Sequence, residues 1–310
     1  MKFKMNPVIG WVLCLTSSVL LSVSTLNAQL VADGATNTLS NVTNMITGDV
    51  TVGTNGSFTL LVLSDNALLT NSANGLISRN VTARSNAVQL VSATARWLMN
   101  GVLYIGSNGA NATLVVSNGA FVSDGAAIIG NLAASSNNFA LVTGSGSLWT
   151  NRNGLDIGGL GRGNQMIVSN GGWVVSKTAR LGVDASGSNN FVLVTGSGSV
   201  WSNALNLSVG NIGPGNRLVI EAGGLVNDDI GLVGDFNSAS NNEALVTGLG
   251  SLWINRSFPD DRQPDAPQPP RGEQRRGGVE WQRGHRRQHD FCEQQFCVAH
   301  GRRHAVEQPE

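Results

Sequence analysis

Between Leu30 and Asn255 the chain has no cysteine, no histidine and a single lysine, Lys177. Without cysteine there is no disulfide framework, so this stretch must be held by burial and backbone pairing. Without histidine or paired thiols it offers no zinc ligand set of the usual kind. Charged residues make up 13% of the chain and are scattered, so no basic patch marks a nucleic-acid surface and no acidic tail is present. The region also lacks helical periodicity. Its apolar positions alternate or run together, and β-branched residues dominate them.

The two ends differ from this middle. At the N-terminus, Lys2 and Lys4 precede the apolar run VIGWVLCLTSSVLLSV, and STLNAQ offers small residues around an exit after Ala28. That order of charge, apolar run and small residues predicts an export signal over 1–28. A retained membrane anchor is the alternative, but the run is short for a span and no basic stop follows it. Cys14 lies within the run and leaves with it.

What fills the middle is a repeat. LVTGSGSLWTN (141–151), LVTGSGSVWSN (193–203) and LVTGLGSLWIN (245–255) are near-copies, and Trp149, Trp201 and Trp253 stand 52 residues apart, with Trp97 one period earlier. A second motif keeps the same period: TLVVSNGAFVS (113–123), QMIVSNGGWVVS (165–176) and RLVIEAGGLVN (217–227). The motifs are related to each other. Aligning 164–176 with 190–202 places Val168 on Val194, Gly172 on Gly198 and Ser176 on Ser202, an offset of 26 each time. The unit is therefore 26 residues long in two alternating flavours, and 30–255 holds about eight or nine of them.

Each unit opens on Asn, runs into a Val/Leu/Ile segment and breaks at Gly-Gly or Gly-Ser-Gly. It continues through two short apolar pieces and closes on Gly, as in IIG (128–130) and RLG (180–182). These read as three short strands per unit, with Gly and Asn supplying positive φ at the corners. Three short strands cannot bury a face alone, but stacked coils share an interior. The sequence predicts an all-β fold: a single-stranded parallel β-helix, or β-solenoid, of 26-residue coils in a 52-residue double repeat over 30–255, followed by a disordered tail over 256–310. A β-propeller, with blades of about 40–50 residues, is the alternative; the internal half-repeat speaks against it.

VSNGG, LVTGSGS-W and the I-G and V-G closers resemble the repeat of bacterial autotransporter-like and PEP-CTERM-associated surface proteins, well over 110–255 and loosely over 35–110. The resemblance implies an exported right-handed β-helix, displayed or shed, without catalytic residues. Such proteins carry a C-terminal barrel or sorting helix, and neither is visible in this chain.

The composition flips after Asn255. Six of the eight prolines fall there, with Arg and Gln crowding in. The segment 285–304 holds all four histidines and two of the three cysteines, and Cys292, Cys297, His300 and His304 are spaced C-x4-C-x2-H-x3-H. Such spacing suggests zinc. Read one base late, however, PPRGEQRRGG (269–278) permits RLVVSNGG, CEQQFCV (292–298) permits VSNNSVL, and RRHAVEQP (302–309) permits AGTLWSN. The two repeat motifs emerge in order, with the recovered Trp about one period after Trp253. The tail thus reads as a frameshifted repeat and its Cys/His set as an out-of-frame accident, so no metal site is assigned.

Two further patterns bear on function. Asp156, Asp184, Asp228, Asp229, Asp235 and Glu243 are the carboxylates from which a glycoside-cleaving pair would be drawn; neighbours on a strand face opposite ways, which separates Asp228 from Asp229. The periodic tryptophans suggest either a carbohydrate-stacking stripe or core packing opposite Val175. The expectation is a non-enzymatic, exported, adhesin-like protein, the product of a gene truncated by the frameshift, located outside the cell or at its surface in association with the outer membrane. No catalytic, cofactor-binding or metal residue is assigned. Its expected partners are extracellular polysaccharide or cell-surface and matrix components, with no nucleic acid, no small-molecule cofactor, and end-to-end self-association through uncapped coils. A polysaccharide lyase or hydrolase on a β-helix is the alternative.

Overall fold

The structure, a computed structural model, describes residues 23–25, 28–257 and 296–300. Its elements are strands throughout, collected into three sheets of 10, 10 and 9 strands. The chain visits the sheets in turn. In one coil, Gln165–Ser169 lies on the first sheet, Trp173–Ser176 on the second and Thr178–Leu181 on the third. The next coil repeats this with Phe191–Thr195, Val200–Asn203 and Leu207–Val209. Each strand pairs in parallel with its counterpart one coil on. Eight complete coils run from Thr36 to Val233, and a ninth contributes Glu243–Thr247 and Leu252–Asn255. This is the predicted β-solenoid.

Within a strand, alternate residues point inward. The interior is therefore lined by columns such as Leu114, Ala140, Met166, Val192 and Leu218, all fully buried. Trp97, Trp149 and Trp201 are also fully buried, and Trp253 is 8% exposed. The indoles stand in register with aliphatic residues of the neighbouring coils: Trp97 with Leu69 and Val122, Trp149 with Val122 and Val174, Trp201 with Val174 and Val226. Large and small residues thus alternate along the axis and fill the core at constant depth. This volume alternation is one physical reason for the 52-residue period.

The sequence alignment holds on the first sheet, where Gln165 pairs with Phe191 and Val168 with Val194 at the expected 26. It slips on the second, where Trp173 pairs with Val200 and Ser176 with Asn203, 27 residues apart. Ser176 therefore stacks on Asn203 rather than Ser202, and the tryptophans lie beside Val174 rather than Val175. The cause is the corner. SNGGW spans Ser169 to Trp173, whereas TGSGSV needs one more residue between Thr195 and Val200.

The corners explain the motifs. Asn170 and Gly171 sit at φ 52° and 80°, and in the other flavour Gly196 and Gly198 sit at 89° and 80°. The last serine of each GSGS or GLGS then reaches into the preceding coil: Ser147 Oγ accepts from the Gly119 amide at 2.9 Å, Ser199 from Gly171 at 3.0 Å and Ser251 from Gly223 at 3.0 Å. One flavour supplies the donor and the other the acceptor, a second reason for the double repeat.

The opening asparagines form a buried column. Asn164 Oδ1 accepts from both the backbone amide (3.0 Å) and the side-chain amide (2.8 Å) of Asn138. Asn190 does the same for Asn164, both at 2.9 Å, and Asn216 for Asn190 at 3.0 and 2.8 Å. The closing glycines accommodate this column. Gly158 has φ 79°, and a Cβ there would collide with the Asn190 amide.

At the ends the structure adds to the sequence reading. Val23–Thr25 and Ala28–Gln29, at the end of the expected export signal, pair in parallel with Met45–Thr47 and Val50–Thr51. Within the tail one strand, Phe296–His300, pairs antiparallel with Glu243–Thr247. It covers the C-terminal edge of the first sheet, one of the edges through which end-to-end association is expected. The frameshift reading of 256–310, Cys292 and His304 otherwise fall outside the described residues, as does most of the expected signal.

Candidate functional site

The candidate carboxylates are dispersed. Asp156 lies on the outer face of the third sheet and accepts two bonds from the Arg180 guanidinium, at 2.8 and 2.9 Å. Glu243 lies on the outer face of the first sheet and accepts from Arg217 at 2.8 Å. Asp184 holds its own turn through the Ser186 amide at 3.2 Å. Asp235 accepts from Ser208 Oγ at 3.1 Å and from Asn211 Nδ2 at 2.8 Å. Asp228 points inward while Asp229 follows it in the corner, so the adjacent pair is split between interior and rim. Among the described residues no group of three or more His, Cys, Asp or Glu is placed to hold a metal. Cys297 and His300 lie on the antiparallel strand opposite Val246 and Glu243.

The interior instead assembles two polar nodes that the sequence reading missed. Asp124 Oδ2 accepts from Trp149 Nε1 at 2.7 Å, and Asp228 Oδ2 from Trp253 Nε1 at 2.7 Å. Trp97 uses Asn71 Oδ1 at 3.0 Å. At the matching place before Trp201 stands Ser176, whose hydroxyl is directed to Asn203 Oδ1, and the Trp201 indole nitrogen is buried without a partner. Burial pushes the Asp124 carboxyl well above the usual range, opposed by the indole bond and by Arg152. Burial likewise pushes Asp228 up to about 7, opposed by Trp253 and Arg256 and assisted by Asp229. In each node the other carboxyl oxygen has no partner, and neither does the Oδ1 of the asparagine stacked on it, Asn151 or Asn255. A carboxyl oxygen left bare in the interior disfavours the anion, so the neutral acid is the form that fits. Arg152 and Arg256 close the nodes from outside, each spanning two coils to backbone carbonyls: Met99 and Asn100 for one, Asn203 and Ala204 for the other, at 2.9–3.1 Å.

Buried indoles have no free face, so the 52-residue tryptophans belong to the core and not to a carbohydrate-stacking stripe. Among the described residues, the exposed indole is one the sequence reading did not single out. Trp173, in the other flavour, is 50% exposed on the outer face of the second sheet. Its Nε1 donates to the Gly198 carbonyl of the next coil at 3.0 Å. It borders an open depression of about 610 Å³ with Ser145, Leu148, Asn170 and Ser197. A second depression, about 660 Å³, lies across the N-terminal coils of that sheet between Met45, Leu98, Phe121 and Arg152. Neither brings a carboxylate pair together.

No family model, no curated protein and no solved structure matches the chain.

Proposed function

We propose that this is an exported, non-enzymatic solenoid whose work is to present a long, regular surface outside the cell, in the manner of an adhesin. What supports the reading is the repetition of the outer face. On the first sheet Thr143, Ser169, Thr195 and Thr247 occupy one outward position in successive or alternate coils, beside Leu141, Ile167, Leu193 and Leu245. A surface that repeats at the inter-coil step of about 4.8 Å suits a partner that is itself periodic, such as a polysaccharide or a matrix polymer. The likeness of VSNGG and LVTGSGS-W to surface-protein repeats points the same way, as does the apolar segment ending at Ala28. The candidate acids are engaged in ion pairs, corners or the core, which leaves display as the better use of this fold than glycoside cleavage.

The test is retention on insoluble polysaccharides, with product release followed in the same tubes. Display predicts retention without new reducing ends or unsaturated sugars. Steady product release would establish the lyase or hydrolase alternative. Fractionation of an expressing bacterium addresses export separately: a chain shortened after Ala28 and found outside the inner membrane is expected, and a full-length cytoplasmic chain would overturn export.

A further inference from the structure

The outer face of the first sheet carries a line of residues that a solvated face does not need. In register, coil after coil, the central outward position is Val62, Gln89, Val115, Leu141, Ile167, Leu193, Val219 and Leu245. Seven of these eight residues are aliphatic and none is charged. Phe139 and Phe191 stand on the same face, one outward position earlier, on either side of Gln165. The rim on the other side is hydroxyl-bearing, with Ser117, Thr143, Ser169 and Thr195. The charges of this face gather at its C-terminal end, in the Arg217–Glu243 pair and Glu221. Parallel sheets are ordinarily covered on both faces, and contiguous apolar strips on a monomer mark contact surfaces.

We infer that this face is a lateral interface between two copies of the chain, packed sheet against sheet. The strip is self-complementary. A two-fold axis running parallel to the strands through Ile167 sets Ile167 on Ile167, Leu141 on Leu193 and Phe139 on Phe191, and brings Val115 over the coil of Val219, which is itself 5% exposed. It reverses the order of coils in the partner and leaves the charged ends of the two copies apart. This is the isologous contact expected of a closed dimer. Seven coils at about 4.8 Å by a five-residue strand of about 17 Å give each copy a footprint of roughly 570 Å². The pair then buries at most roughly 1,150 Å², below the roughly 1,200–2,000 Å² of stable pairs and in the range of transient ones. The dimer is accordingly reversible. The contact differs from end-to-end stacking, which would join coil edges and not sheet faces, and it stands whether or not the display reading does.

Sedimentation velocity of the full chain over a concentration series up to about 100 µM tests it. The expected result is a concentration-dependent dimer. Ile167→Gln copies the residue already tolerated at Gln89, and Leu141→Thr/Leu193→Thr uses a residue suited to an exposed strand; both return the chain to monomer with an unchanged melting curve. Leu148→Thr, on the outer face of the second sheet, leaves the dimer in place. A wild-type chain that stays monomeric throughout overturns the inference. So does a dimer that survives the substitutions on the first sheet, since it must then form elsewhere, at the coil ends for instance. Should the double variant misfold, Ile167→Gln alone decides the matter.

Discussion

At the scale of single residues, the nodes around Asp124 and Asp228 make the fold sensitive to pH in an unusual direction. The ordinary carboxyl value is 3.8, and Asp228 is pushed to about 7 in the fold. The folded chain therefore binds its proton more tightly than the unfolded chain. The stability this contributes is complete below about pH 4 and is lost as pH rises through about 7. Melting temperature should fall between about pH 4 and pH 7 in the wild type and fall less in Asp228→Asn, whose amide cannot ionise. Asp124 acts in the same direction. Thermal melts in a series of buffers measure this, and a wild-type curve parallel to that of the variant would refute it. The Trp201 nitrogen offers a complementary case. Asn at position 176 supplies the acceptor that Asn71 gives Trp97, so Ser176→Asn should stabilise the chain by about 1 kcal/mol in denaturant titration.

At the scale of the coil, the asparagine column and the corners carry the architecture. Asn164→Ala strips the acceptor from the buried backbone amide of Asn138 and one of two acceptors from its side-chain amide, which keeps Ser135 Oγ at 3.0 Å. A loss of about 2–4 kcal/mol is expected from the urea midpoint, against a small loss or gain for Ala112→Asn, which restores the column where it is broken. Much of this level was legible in the sequence. The 26-residue unit, its three strands and its Gly and Asn corners follow from apolar runs punctuated by turn residues. The register of the second sheet was not, because SNGG and TGSGS differ by one residue and an alignment anchored on glycine absorbs the difference silently. A slip of one residue turns a strand over, so Val175 was read as core where Val174 is. The Asp–Trp nodes escaped for a related reason: the partners stand 25 residues apart, one coil by geometry but not by the apparent period. Trp173 escaped because it shares no spacing with the other indoles, and spacing was the signal followed.

At the scale of the whole molecule, the unit of construction is the pair of coils. Removing residues 139–190, two coils, joins complementary flavours and should leave a shorter solenoid with a proportionately lower unfolding midpoint. Removing only 139–164 sets two SNGG-type corners against each other, deprives the Gly119 amide of Ser147 and takes Trp149 from Asp124. That chain, though longer, should melt at a lower temperature than the first, and circular dichroism melts of the two deletions would show the order. The asparagine column has one more consequence, which is electrical. From Asn138 to Asn216 each side chain offers its oxygen toward the N-terminal end, and Asn138, Asn164 and Asn190 turn their Nδ2 hydrogens toward the C-terminal end. The amide dipoles are therefore aligned and polarise one another along the axis. Among the described residues the column ends at Asn242, whose Nδ2 is buried without a partner. The solenoid thus has a sense of direction in its field as well as in its chain, with the positive end of the column at Asn242.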